Sequence, residues 1–140
     1  MLITQISGNN KAQSLLLQRG TQSAGKQYVV DIRQASGLDD LDLVEKFMRD
    51  AIAASGATLL HLHLHHFTPF GGVSGVAVLA ESHLAIHTWP ERSYAAIDMF
   101  VCGDADPSRM IPVLHEAFSP GEIDVVELYR GQEGKTGDAQ

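Results

Sequence analysis

The chain divides into six stretches with the pattern of strands and two with helical spacing. Residues 26–33 (KQYVVDIR) have a β-branched centre and predict a first strand. Asp39 or Asp40 can cap a helix, after which Leu41, Val44, Met48, Ala51, Ile52 and Ser55 fall on one face. Gly56 then stands where a helix ends in the left-handed conformation. Residues 58–67 alternate strictly, with Leu60, Leu62 and Leu64 on one side and His61, His63, His65 and Phe67 on the other. Residues 73–80 and 83–89 are two further strand-like runs, interrupted only by Glu81 and Ser82. Residues 94–101 place Ala95, Ile97, Met99 and Val101 on a common face. Asp106-Pro107 has the cap-then-proline order of a second helix start, and Pro112 inside that helix is expected to kink it. Residues 122–129 form a last strand, and no internal repeat is visible. Strand, helix, strands, helix, strand predicts an α+β two-layer sandwich, with both helices on one face of a mostly antiparallel sheet.

At 140 residues the chain suits one domain; 44% apolar sits just under the ordinary globular range, and 19% charged is low rather than extreme. The net charge of −7 argues against a nucleic-acid or anionic-membrane partner. No apolar run approaches the ~18 residues of a membrane span. A single cysteine excludes an intrachain disulfide framework and a multi-cysteine zinc site. Together these suit a cytoplasmic protein. Residues 1–25 hold Lys11 and Arg19 and no acid, and read as a loosely ordered N-terminal extension. Its apolar patch at residues 15–17 is too short for the core of a signal peptide. Residues 132–140 read as a polar tail.

His61, His63 and His65 project from one strand face, and imidazoles at such spacing suit zinc, iron, copper or nickel. No HxxxH or paired carboxylate stands nearby to complete a site, so the wet or interfacial face of a sheet is the better account. A histidine-rich metal-binding module is the alternative. Residues 80–91 (AESHLAIHTWPE) are more unusual, because an acid, a hydroxyl and an imidazole interrupt an apolar hairpin. A second imidazole follows at His87, and the only thiol, Cys102, ends the next strand. Sheet pairing is expected to bring Ser82, His87 and Cys102 together. They suit a nucleophile with its base, Ser with His or Cys with His, although Ser82 lacks the GxSxG elbow of a serine hydrolase. A polar hairpin tip beside a buried structural cysteine accounts for the same residues.

Residues 73–103, VSGVAVLAESHLAIHTWPERSYAAIDMFVCG, closely resemble the signature block of the prokaryotic S-adenosylmethionine decarboxylases. Looser similarity runs upstream through GKQYVVDIR and downstream to VVELYRG, so the resemblance covers a domain at 26–131 and leaves residues 1–25 outside. It implies a carboxy-lyase made as a proenzyme, dependent on a pyruvoyl group, that acts on S-adenosylmethionine for polyamine (spermidine) synthesis. The chain would cut itself between Glu81 and Ser82, leaving a β chain of residues 1–81 and an α chain of 82–140 capped by a pyruvoyl group made from Ser82. A serine hydroxyl lies one carbon from its own amide, so attack on the preceding carbonyl closes a five-membered ring. The pyruvoyl ketone condenses with a substrate amine as a Schiff base and takes up electrons as CO₂ leaves. The resemblance assigns His87 as the processing base and Ser74 as its support by hydrogen bonding near the cut bond. Cys102 becomes the proton donor, and a thiol with an ordinary pKa of ~8.5 is protonated at neutral pH. Glu91 is implied to accept from the ribose hydroxyls, Trp89 to lie near the substrate and Phe67 to stack on adenine. No metal is implied, and the family's short bacterial members form homodimers with active sites between protomers.

One departure concerns the substrate. The family's run from aromatic to serine is FxPxGVSG, whereas Phe67-Thr68-Pro69-Phe70-Gly71-Gly72-Val73-Ser74 is one residue longer. An outward bulge keeps Phe67 in place and is favoured, because consecutive glycines accept unusual dihedrals at little steric cost. A displaced Phe67 instead suits ornithine or arginine, the substrates of some family relatives.

Overall fold

The structure is a computed structural model that describes residues 2–5, 23–69 and 71–132. Among these residues seven strands form one antiparallel sheet: β1 (Leu2–Gln5), β2 (Gly25–Arg33), β3 (Leu59–His66), β4 (Val73–Leu79), β5 (Ser82–Trp89), β6 (Tyr94–Cys102) and β7 (Glu122–Arg130). Their order across the sheet is β1-β7-β2-β6-β5-β4-β3. Two helices, α1 (Leu41–Ala54) and α2 (Met110–Phe118), pack on one face, which gives the α+β two-layer sandwich that the pattern predicts.

Local chemistry explains the elements. The Asp40 carboxylate accepts from the Leu43 amide at 3.1 Å and starts α1, and Gly56 at φ +75° follows its end. Val44, Met48, Ala51 and Ile52 are buried as their spacing requires, and Phe47 joins them, its ring 5.1 Å from that of Phe118. Facing the helices, Val30, Ile32, Leu84, Ile86, Ala95, Ile97, Met99 and Val101 are buried, and each large side chain contributes about 1.5–3 kcal/mol. Alternation sends the intervening residues to the opposite face. No described helix covers that face, and Val29, Val76, Val78, Phe67 and Trp89 are exposed.

Some expectations change. Asp106 caps a 3₁₀ turn at Pro107–Arg109, its carboxylate accepting from the amide and hydroxyl of Ser108. α2 starts only at Met110, so Pro112 lies in the first turn, where its nitrogen needs no intrahelical partner and forces no kink. Leu60 is not on the inward side with Leu62 and Leu64. The β3–β4 register shifts between Leu59 and His61, and the bulge leaves Leu60 63% exposed. Within the N-terminal extension, Leu2–Gln5 pairs with β7 from Leu2↔Tyr129 to Gln5↔Val126. The patch at residues 15–17 and the tail residues 133–140 lie outside the described residues. No described helix is long and apolar enough to cross a membrane.

Candidate active site

The hairpin tip between β4 and β5 is fixed by its backbone. Leu79 pairs with Ser82, so the turn consists of Ala80 and Glu81 alone. The Glu81 carbonyl oxygen accepts a hydrogen bond from the Cys102 amide at 3.0 Å. The Glu81 carboxylate accepts from the Thr58 amide at 2.7 Å and from its hydroxyl at 3.2 Å. Ser82 has φ +146°, a conformation that L side chains rarely adopt and that costs on the order of 1–3 kcal/mol. A strained serine thus follows a carbonyl polarised by a backbone donor. The Cys102 thiol is exposed at the end of β6, not buried as a structural cysteine would be.

At the other end of β5 the side chains converge. Ser74 Oγ and His87 Nδ1 are 2.8 Å apart across the β4–β5 pair, where the two residues are register partners. Phe67, Gly72, Ser74, Thr88, Trp89 and Glu91 line a cavity of about 300 Å³. The loop with the extra residue folds back on Phe67, whose amide donates to the Gly72 carbonyl and whose carbonyl accepts from the Gly71 amide, both at 2.7 Å. Gly71 has φ +78°, and a Cβ at Gly72 would stand 2.9 Å from the Thr88 carbonyl oxygen, so both positions need glycine. Phe67 lines the cavity wall and meets His65 edge-on at 4.4 Å. Buried Thr88 braces the floor, accepting from the Val73 amide at 2.8 Å and donating to the Leu38 carbonyl at 2.7 Å.

Trp89 is braced from behind. Its ring stacks on Tyr94 at 5.2 Å, and the Tyr94 hydroxyl donates to Asp31 at 2.7 Å. That hydrogen bond, and burial after it, push the Tyr94 phenol above its ordinary pKa, so it remains a donor. Glu91 sits in the 3₁₀ turn Pro90–Arg92 that follows β5.

These two groups of residues stay apart within one chain. His87 follows Ser82 by five positions along an extended strand, a separation of roughly 16 Å. The expected gathering of Ser82, His87 and Cys102 is therefore corrected. The fold brings Ser82 and Glu81 to Cys102, and separately brings Ser74 and His87 to Phe67, Trp89 and Glu91. His61, His63 and His65 are exposed on β3, and among the described residues no three His, Cys, Asp or Glu side chains gather so as to hold a metal ion.

Sequence reasoning missed Thr58, which carries no motif and lies 23 positions before Glu81. It also missed a polar row on the open face. His83 Nε2 is 2.8 Å from Asp98 Oδ2, Gln27 donates to Asp98 Oδ1 at 2.6 Å, and Arg130 donates to Gln27 at 3.1 Å. The available signal was alternation along β6, which sets Asp98 opposite in direction to buried Ile97 and Met99.

Known proteins resemble this chain in sequence and in fold. The family model for S-adenosylmethionine decarboxylase matches residues 26–131. The S-adenosylmethionine decarboxylase proenzyme of Thermomicrobium roseum is 46% identical over 111 residues, which cover 79% of this chain and 96% of that one. The proenzyme of the same name from Methanococcus aeolicus is 43% identical over 110 residues, 76% of this chain and 93% of that one. The crystal structure of the adenosylmethionine decarboxylase from Aquifex aeolicus superposes with a TM-score of 0.72 at 28% identity, covering 81% of this chain and 96% of that chain. With a family match over residues 26–131 and relatives above 40% identity along most of their length, the chain belongs to the S-adenosylmethionine decarboxylase family.

Proposed function

We propose that this chain is a cytoplasmic proenzyme that cuts itself between Glu81 and Ser82 and then decarboxylates S-adenosylmethionine as a homodimer. The observation that carries the reading is the Glu81 carbonyl, held by the Cys102 amide next to a serine at φ +146°. Attack of Ser82 Oγ on the Glu81 carbonyl carbon breaks the C–N bond and forms an ester. The Cys102 amide stabilises the oxyanion of that step, and release of the strained dihedral favours it. Removal of the Ser82 α-proton expels the Glu81 carboxylate. One water then replaces the Ser82 nitrogen, which leaves as ammonia, and the pyruvoyl group results.

With His87 as the base for the α-proton, a second chain must supply it, since His87 of the same chain is roughly 16 Å away along the strand. Two copies stacked by their open faces, strands running oppositely, set the tip of one chain against the Ser74–His87 pair of the other. Such a twofold arrangement makes two equivalent sites and covers Val29, Val76 and Val78. Ser74, hydrogen-bonded to Nδ1, orients the imidazole for proton transfer.

The residues around Ser82 suit a pyruvoyl group, because an exposed thiol stands beside the residue that would carry it. That group, once formed, supplies an electron sink conjugated to the substrate amine. Cys102 then returns a proton to the α-carbon. Phe67 and Trp89 offer aromatic faces to a purine and to a sulfonium cation, and Glu91 can accept from two ribose hydroxyls. Ornithine or arginine leaves those faces unused, and the relatives named above favour the nucleoside substrate.

Intact mass under denaturing conditions tests the cut. Fragments of residues 1–81 and 82–140, the second without a free amine, are expected. Release of CO₂ from S-adenosylmethionine, ornithine and arginine tests the substrate. An active chain that stays whole overturns the maturation, and a larger kcat/KM on either amino acid overturns the substrate.

A further inference from the structure

We propose that His83 is a positioning residue that holds position 82 in place after the bond to Glu81 has gone. The inference rests on the self-cleavage reading above. Before the cut, residue 82 is tethered through Glu81, whose carboxylate is bound to Thr58 and whose carbonyl is bound to the Cys102 amide. After the cut those contacts belong to the other fragment's end. Position 82 becomes the first residue of a strand, and chain ends fray unless something ties them down.

His83 is the first side chain inward from that end. Its Nε2 lies 2.8 Å from Asp98 Oδ2, and a carboxylate only accepts, so Nε2 carries the proton. Asp98 is fixed in turn by Gln27 at 2.6 Å, and Gln27 by Arg130 at 3.1 Å. The Arg130 guanidinium lies 4.9 Å from the centre of the Phe100 ring, and the His83 ring lies 6.0 Å from the same ring on β6. The row runs from β5 across β6 to β2 and β7. Gln27 is in the fragment before the cut and the other three are in the fragment after it, so the row also stitches the two together. His83 itself faces Asp98 and touches no reacting atom. Its effect is exerted through the backbone of residue 82, where a misplacement of about 1 Å costs on the order of a hundredfold in rate.

The test is His83→Ala in the full chain. It is expected to cut as completely as wild type by intact mass, while kcat per cut chain falls at least tenfold. Hydrogen exchange at the amides of residues 83–86 should quicken in the cut variant. In a Ser82→Ala background, where the chain stays whole, His83→Ala should leave that exchange unchanged. His83→Gln, whose amide can donate to Asp98, should recover part of the rate. Should His83→Ala fail to fold, Gln27→Ala loosens the same row from the far side and must shift exchange in the same direction. Wild-type kcat and exchange in cut His83→Ala overturn the proposal, as does slow cutting with normal turnover per cut chain. A wild-type chain that turns over substrate without cutting overturns the maturation reading first, and this proposal with it.

Discussion

At one end of β5 the backbone sets the geometry, and at the other end the side chains do. Around Ser82 the features that matter are a dihedral at +146°, a two-residue turn and an amide hydrogen bond from Cys102. Around His87 they are a hydroxyl paired with an imidazole at 2.8 Å, two aromatic faces and a carboxylate around a cavity of about 300 Å³. On the reading proposed above, the first end starts an acyl shift and takes its base from elsewhere. On the same reading the second supplies that base and the substrate pocket. One extended strand keeps them roughly 16 Å apart, so the two ends work together only across two chains if that reading holds.

The hardest test of that division mixes two dead variants. Ser82→Ala is expected to remain one chain without measurable turnover, and His87→Ala to stall before the pyruvoyl group forms. Co-expressed, they should recover roughly a quarter of wild-type activity, because half the dimers are mixed and each mixed dimer has one intact site of two. Intact mass of the mixture should show cut His87→Ala chains. No recovery from a mixture shown to contain mixed dimers would place both halves of the site within one chain.

Cys102 separates backbone from side chain at a single residue. Cys102→Ala keeps the amide that binds the Glu81 carbonyl, so the cut should proceed. Turnover should fall about 10²–10⁴-fold, the usual contribution of a placed proton donor. Cut fraction by mass, set beside turnover per cut chain, reads the two contributions apart.

At the far end, Gly72→Ala sets a Cβ 2.9 Å from the Thr88 carbonyl, a clash with backbone that a side-chain rotation cannot relieve. The loop must shift, and Phe67 with it, since its amide is bonded to the Gly72 carbonyl. A loss of about 1–3 kcal/mol in chemical denaturation is expected. KM for S-adenosylmethionine should rise about tenfold, as for removal of an aromatic contact worth about 1.4 kcal/mol. A variant with unchanged KM would show that Phe67 does not serve the pocket.

The fold was legible because its signals are local and repeated. Ala95, Ile97, Met99 and Val101 alternate without interruption, and all are buried. Asp40 and Gly56 mark the ends of α1 by rules that need no tertiary partner. Leu60 and Pro112 were misread because their settings depend on register, a bulge in one case and a helix that starts three residues later in the other. In the site, the motif residues stand out along the sequence one by one, but their grouping does not. Whether Ser82 meets His87 is decided by strand length, and whether Cys102 meets Glu81 by β5–β6 pairing. The Glu81 contact with Thr58 and the row through His83 depend on register across several strands, which no spacing along the chain encodes.

The smallest expected effect compares the two faces of the sheet through their tyrosines. Tyr28, on the helix-packed face, donates to buried Glu127 at 2.8 Å, while Tyr94, on the open face, donates to Asp31 at 2.7 Å. Burial first and the Glu127 carboxylate second push the Tyr28 phenol well above its ordinary 10.0, and Tyr129 is raised by the same causes. A raised phenol favours the folded state fully below the unfolded value of 10.0, where both states hold the proton. As pH rises past that value the unfolded chain loses its protons while the folded chain keeps them, so stability falls with each further unit until the folded values are passed. Urea denaturation between neutral pH and pH 11 should therefore show a declining alkaline limb. Tyr28→Phe should flatten that limb and cost about 1–3 kcal/mol at neutral pH, since a buried carboxylate loses a donor. Tyr94→Phe should change the limb less, because the hydrogen bond with Asp31 is only partly buried and water can replace the lost donor. An equal effect of the two variants would mean that the open face is shielded from water in solution as fully as the helix-packed one, which is the condition that stacking of two copies on that face creates.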